Sequence, residues 1–138
     1  LRAGPDLGAH PANLALRFAL ELAALVAIGR WGWTLVGAGP WRVVLAVAAP
    51  LVAMTAWGLF AVPGDPSRSG RAPVPVPGVV RLLLEAAFFG AATWAAARER
   101  PAWAIGFGAL LVAHYALSFD RLAWLCRRRP VAAPAQRD

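Results

Sequence analysis

The 138-residue sequence contains no lysine, one cysteine, one methionine, one tyrosine and two histidines, and only 15% of it is charged. Each scarcity removes a class of explanation. A lone cysteine, Cys126, excludes an internal disulfide and a multi-cysteine metal site. His10 and His114 are too few for zinc, which takes three or four ligands. No Ser, Thr or Cys nucleophile stands in a recognisable pattern with a histidine base, and no phosphate-binding glycine loop or haem-attachment motif occurs. Catalytic residues, a metal site and a cofactor are therefore not expected, and the chain is read as a non-enzyme.

What is abundant is apolar surface. Apolar residues make up 59% of the chain, and the mean hydropathy is +0.56. That excludes disorder as the dominant state. It also exceeds what a water-soluble globule of this length can hide. The expected class is a small, single-domain integral membrane protein whose first partner is the lipid bilayer. The segment Leu1–Ala12 has no basic region followed by an apolar stretch and a cleavage site, so the first apolar run is expected to stay in the membrane rather than be removed as a signal peptide.

Four apolar runs are expected as helical spans, over 13–36, 41–62, 78–97 and 102–125. Each holds roughly 20 residues or more, enough at about 1.5 Å per residue to cross a hydrocarbon core of about 30 Å. They are too long, too alanine-rich and too free of alternation for strands. Gly37-Ala38-Gly39-Pro40 and Arg98-Glu99-Arg100-Pro101 stop one helix and start the next, which predicts two antiparallel hairpins. A Pro-rich strap, 63–77, joins them. Residues 1–12 are expected as a flexible leader and 126–138 as a disordered basic tail. The predicted fold is all-α, a four-helix membrane bundle.

All 14 cationic residues are arginine, accompanied by 32 alanines, 13 glycines and 12 prolines, a composition that points to GC-rich codons in a bacterial genome. A net charge of +7 can signal nucleic acid. Here the arginines gather at the ends of apolar runs, so nucleic acid is not an expected partner. Ten fall on the side of the termini and the strap and four (Arg30, Arg42, Arg98, Arg100) on the other, which predicts both termini in the cytoplasm of a multi-pass protein of the bacterial plasma membrane. Trp31, Trp33, Trp41, Trp94 and Trp103 fall near the outer span boundaries, and Trp57 and Trp124 near the inner ones, as interfacial anchors. Pro50, near the middle of the second run, predicts a kink. Gly90, Gly106 and Gly108 are read as permitting close helix contacts.

The two halves repeat a motif. Arg17-Phe18-Ala19-Leu20-Glu21 corresponds to Arg81-Leu82-Leu83-Leu84-Glu85, and Leu51-Val52-Ala53 to Leu111-Val112-Ala113. Two spans per half imply hairpins related as a parallel repeat. A lone intramembrane carboxylate costs a few kcal/mol on insertion scales, so Glu21 and Glu85 should be paired. Spacing of four puts each Arg and Glu on one helix face. The repeat adds an expectation of crossed pairs, Arg17 with Glu85 and Arg81 with Glu21. Such a network reads first as a lock between helices. The alternative is the floor of a pocket or a proton-linked site, with His114 and Tyr115 as further candidates. Asp120-Arg121 is expected as an interfacial salt bridge.

Leu16 to Leu25, Gly29-Arg30-Trp31-Gly32-Trp33, Ala49-Pro50-Leu51, Trp57-Gly58-Leu59-Phe60 with Pro63, and Arg81-Leu82-Leu83-Leu84-Glu85 resemble the YrdB-like family of small bacterial membrane proteins. The resemblance spans about Leu14 to Leu125. It implies a four-helix inner-membrane protein and no particular activity. Two function classes follow: a structural or accessory membrane component, homo-oligomeric or bound to a membrane partner, and a small transporter or channel component using Glu21 and Glu85. Four-helix multidrug transporters, which also carry a glutamate in their first helix, are the nearest analogy for the second.

Overall fold

The computed structural model describes residues 10–65 and 71–127. Most of the leader and tail, with Arg2, Arg68, Arg128, Arg129 and Arg137, lies outside the described residues. The chain is all-α. Its helices are α1 (Pro11–Thr34), α2 (Trp41–Leu59), α3 (Gly78–Glu99), α4 (Pro101–Leu117) and α5 (Phe119–Arg127). Two short strands, β1 (Phe60–Ala61) and β2 (Val74–Pro75), pair in parallel, Phe60 opposite Val74 and Ala61 opposite Pro75. That ladder ends α2 at Leu59 instead of 62 and fastens both ends of the strap together.

Local chemistry sets the helix ends. Pro11 and Pro101 occupy first turns, where a missing N–H costs nothing. His10 caps α1, its Nδ1 accepting from the Ala12 amide at 3.2 Å, so it is a helix cap and not part of a loose leader. Gly39, with φ of 94°, supplies the left-handed residue that turns the chain from α1 into α2.

Buried positions on α1 run Asn13, Arg17, Leu20, Ala24, Ile28 and Gly32, steps of three and four that form one stripe. The α3 stripe runs Gly78, Arg81, Glu85, Phe88 and Phe89, Ala92, then Ala95 and Ala96. These stripes face each other, and Leu20, Ala24, Ile28, Phe88, Phe89 and Ala92 form the apolar core. Helix α2 packs mainly on α1, while α4 and α5 pack mainly on α3. No residue of α2 is buried, and α4 buries only His114. Large apolar side chains point outward instead, among them Val52, Leu83, Ile105 and Val112.

Helices α1, α2 and α3 are each long and apolar enough to cross a membrane. Helices α4 and α5 meet that standard only as a pair, and they are bent by 69° at Ser118. The fourth run is therefore not one straight span over 102–125. At Ser118 the amide bonds back to the carbonyls of His114 and Tyr115, and its own carbonyl accepts from Leu122 to open α5. Asp120 in the first turn of α5 and Arg127 in the last suit the helix dipole. Cys126 and Arg127, expected in the tail, belong to this helix.

The close contacts fall at other glycines than Gly90, Gly106 and Gly108, where an added Cβ would meet open space. A Cβ on Gly29 would lie 3.0 Å from the Ala46 carbonyl oxygen, and one on Gly32 would strike the Leu45 carbonyl. Pro50 explains part of this geometry. It sits inside α2 and brings no N–H, so the Ala46 carbonyl loses its helical donor, and that carbonyl faces Gly29. Gly78 likewise admits the Leu125 backbone of α5. Gly32→Ala is expected to destabilise the protein by about 1–3 kcal/mol through backbone displacement. Gly90→Ala, inside α3 with open space for the methyl group, is expected to stabilise by about 0.5–1 kcal/mol. Thermal melts of the two variants in detergent check the contrast.

Candidate functional site, a buried ion cluster centred on Glu85

The ends of α1, α3, α4 and α5 nearest the strap converge on one carboxylate. Glu85 is 1% exposed. Its Oε1 accepts from Arg17 Nη2 at 3.2 Å, Arg81 Nε at 3.2 Å and Arg121 Nη2 at 2.7 Å. Its Oε2 accepts from Arg121 Nη1 and from the Tyr115 hydroxyl, both at 3.1 Å. Arg121 thus grips Glu85 with two parallel N–H bonds, the strongest geometry for this pair.

Arg121 also holds Asp65, Nε to Oδ1 at 3.0 Å and Nη2 to Oδ2 at 2.7 Å. Asp65 is itself buried, placed by a turn in which its amide bonds to the Val62 carbonyl. Arg81 donates to the carbonyls of Trp57 and Phe60 at 2.9 and 2.6 Å, which terminates α2 on a guanidinium. The Trp57 ring lies under it, 4.0 Å from the Arg81 Cζ and 5.6 Å from that of Arg17. Arg17, Arg81 and Arg121 bring three positive charges, and Glu21, Glu85 and Asp65 bring three negative ones. Arginine cannot lose its proton in a protein, so this balance is fixed by the carboxylates.

A neutral set extends the cluster. Asn13 donates to Ser118 Oγ at 2.7 Å, and His114 Nδ1 lies 2.9 Å from Asn13 Oδ1. An amide oxygen only accepts, so the imidazole carries its proton on Nδ1. All three residues are buried. The bond from Asn13 to Ser118 spans α1 and the break before α5, which ties the bend to the start of the chain.

The repeated motif produces one of the two expected crossed pairs. Arg17 bridges Glu21 at 3.0 Å and Glu85 at 3.2 Å, so one crossed contact forms. Among the described residues no ion pair joins Arg81 to Glu21; Arg81 pairs along its own helix with Glu85 at 3.2 Å. The reason is register. Arg81 and Glu85 both lie on the α3 stripe, whereas Glu21 sits one position off the α1 stripe and its side chain stays 25% exposed. Arg121 pairs with Asp65 and Glu85 rather than with exposed Asp120. Trp57 is half-buried and packs on Phe88 and Phe89 at centroid distances of 4.7 and 5.6 Å. Trp124 is half-buried on α5.

Sequence reasoning missed Asn13, Asp65, Ser118 and the inward turn of Arg121. Asp65 follows a Pro-Gly turn and resembles any loop acid. The Ser118-Phe119-Asp120 start signal for a new helix was present but lay within an apolar run. At the far end, Arg30 and Glu99 form a further link between α1 and α3, with Arg30 Nε and Nη2 each 2.8 Å from the carboxylate. Trp31, Trp33, Trp94 and Trp103 gather at that same end, and Trp31 meets Trp94 edge-on at 5.5 Å.

The fold and cluster define a class: small all-α chains with an apolar exterior and a charge-compensated polar centre. Residues 15–112 match the family described as "Protein of unknown function (DUF2568)", and the chain belongs to that family. It is 41% identical over 115 residues to "Uncharacterized protein YrdB" of Bacillus subtilis (strain 168), covering 82% of this chain and 92% of that protein. The YrdB-like resemblance read from the motifs is thereby shown. No solved structure matches. The family match takes in both Arg/Glu motifs and ends before His114, Tyr115 and Arg121.

Removing the hub should cost far more than removing its neighbour. Glu85→Gln leaves three buried guanidiniums short of charge, and a loss of about 3–5 kcal/mol is expected. Glu21→Gln, at a partly exposed pair, should lose about 1 kcal/mol or less. In double-mutant cycles Glu85 and Arg121 should couple by about 0.5–3 kcal/mol, while Glu21→Gln and Arg81→Gln should add. Strong coupling in the second cycle would restore the crossed pairing.

Proposed function

We propose that this chain is a non-enzymatic structural or accessory component of the bacterial cytoplasmic membrane, crossing it four times as a four-helix bundle with both termini inside. The observation that carries the reading is the inverted distribution of polarity. Charged and amide side chains are buried between the helices at the strap end, while Val, Leu, Ile and Trp side chains cover the outside. Water rewards the opposite arrangement. In lipid the outer face meets hydrocarbon, and each buried charge needs an internal partner, which the cluster supplies.

On this reading α4 is the fourth span. Its 17 residues reach about 25 Å, near the lower limit for a crossing. Helix α5 turns aside to lie at the cytoplasmic surface, with Phe119 exposed and Arg121 directed inward. The pairing of hairpins α1–α2 and α3–α4 through α1 and α3 supports a parallel repeat, and the uncovered face of α2 supports a second copy or another membrane protein as partner.

The alternative, a small transporter or channel component, draws on Glu21, whose carboxylate keeps some exposure beside a buried polar network. Ligand-dependent proton release that vanishes in Glu21→Gln would favour it. Against it, Glu85 is saturated by five hydrogen bonds.

The lone native thiol tests membrane location and orientation together. Cys126 is exposed at the end of α5. The protein should stay in the membrane pellet after an alkaline carbonate wash. An impermeant maleimide should label Cys126 only after the cells are permeabilised. Labelling in intact cells would reverse the orientation, and release by carbonate would remove the membrane reading altogether.

A further inference from the structure

Three grooves open between the helices, two of them at the end of the molecule away from Glu85 and the third running from Trp57 and Leu84 toward that end. The largest, about 630 Å³, runs between α1 and α2 past Leu25, Val26, Ala46 and Pro50 to Trp33. A second of about 310 Å³ lies among α1, α3 and α4, floored by Ala23, Ala27, Ala92 and Phe107 and ending at Trp103. A third of about 270 Å³ passes Ile28, Ala49, Val52 and Ala91 and includes Trp31, which stands against Trp94.

The first two grooves finish at tryptophans that carry an arginine, and the third reaches Trp31, whose neighbour Trp94 carries one. Arg42 lies over Trp33 with its Cζ 4.5 Å from the ring centroid, Arg100 over Trp103 at 5.1 Å, and Arg98 over Trp94 at 5.5 Å. Arg30 is different, because Glu99 neutralises it. Among the described residues, Arg42, Arg98 and Arg100 form no ion pair. This end therefore presents three guanidiniums without an ion pair, each over an indole, two of those indoles (Trp33 and Trp103) lining a groove.

We propose that these grooves bind the acyl chains of anionic phospholipids, with Arg42, Arg98 and Arg100 receiving the phosphates. The inference rests on the membrane reading above. Charge complementarity selects the occupant. A zwitterionic lipid brings its own cation to the rim, whereas an anionic one leaves its charge for the guanidinium, which bonds phosphate through paired N–H donors. Stacking on tryptophan orders each arginine before the lipid arrives and holds it at the depth where that ring prefers to sit. The small side chains along the second groove leave room for a chain to lie between helices.

The test uses tryptophan fluorescence, because the rim residues are themselves reporters. The full chain, purified in a neutral detergent, is titrated with brominated phosphatidylglycerol and with brominated phosphatidylcholine. Half-quenching is expected at several-fold lower phosphatidylglycerol, each arginine contributing on the order of a five-fold preference at most. In Arg42→Gln/Arg98→Gln/Arg100→Gln, whose elution and helical content check that it folds, the two lipids should quench alike. A preference that survives in this variant, or that is lost instead in Arg127→Gln/Arg128→Gln/Arg129→Gln, overturns the proposal. Competition by inorganic phosphate at millimolar concentration overturns it as well, by showing a site for free anions. Extraction by carbonate sinks the membrane reading and this site together. Stable insertion without lipid preference sinks this site alone.

Discussion

A guanidinium taken out of water must find a counter-charge nearby, because arginine keeps its proton and an unpaired buried cation costs several kcal/mol. Three such groups lie buried here, and one carboxylate touches all of them. Much of the architecture answers to Glu85. Arg17 brings α1 to α3, Arg121 brings α5, and the Tyr115 hydroxyl brings α4. Through Arg81 the same centre reaches the last carbonyls of α2. One side chain therefore sets the relative positions of all five helices at that end. Buried ion clusters of this kind add little net stability over an apolar core of equal volume. They are directional where apolar contacts between helices are not, and direction is what fixes a single packing.

The far end uses another chemistry. The Arg30–Glu99 bridge and the edge contact of Trp31 with Trp94 join α1 to α3 there, while Gly29 and Gly32 let α2 approach α1 to backbone distance. The middle is held by ordinary apolar packing around Phe88 and Phe89. Helices α1 and α3 are thus clamped by charge at both ends and by side-chain packing between them, and α2 and α4 flank them with little burial of their own.

Much of this was legible in the sequence, and the misses share a cause. The all-α character and the three long helices followed from run length and composition, and the Arg/Glu spacing announced that the charges would be paired. Spacing along one helix says which residues share a face. It does not say which face turns inward, and that single unknown decided the pairing. Glu21 and Glu85 occupy equivalent places in the repeat, yet one lies beside its stripe and the other on it. Asp65 escaped notice and Arg121 was assigned to Asp120 because their true partners are remote, 56 residues apart from each other. The break at Ser118 was hidden by hydropathy, which averages over the few polar residues that end a helix.

The grouping of the charges has a consequence for how the protein is made. Arg17, Glu21, Arg81 and Glu85 already sum to zero, and all four are present once α3 has been synthesised. Asp65 and Arg121 form a second neutral set, one residue in the strap and the other in the last helix. The chain can therefore assemble α1 to α3 with the charges of the two helix motifs already balanced and Asp65 left as one negative charge in excess. When α5 emerges, Arg121 arrives with that waiting carboxylate as its partner, and its docking closes the structure by bringing the net charge of the centre to zero.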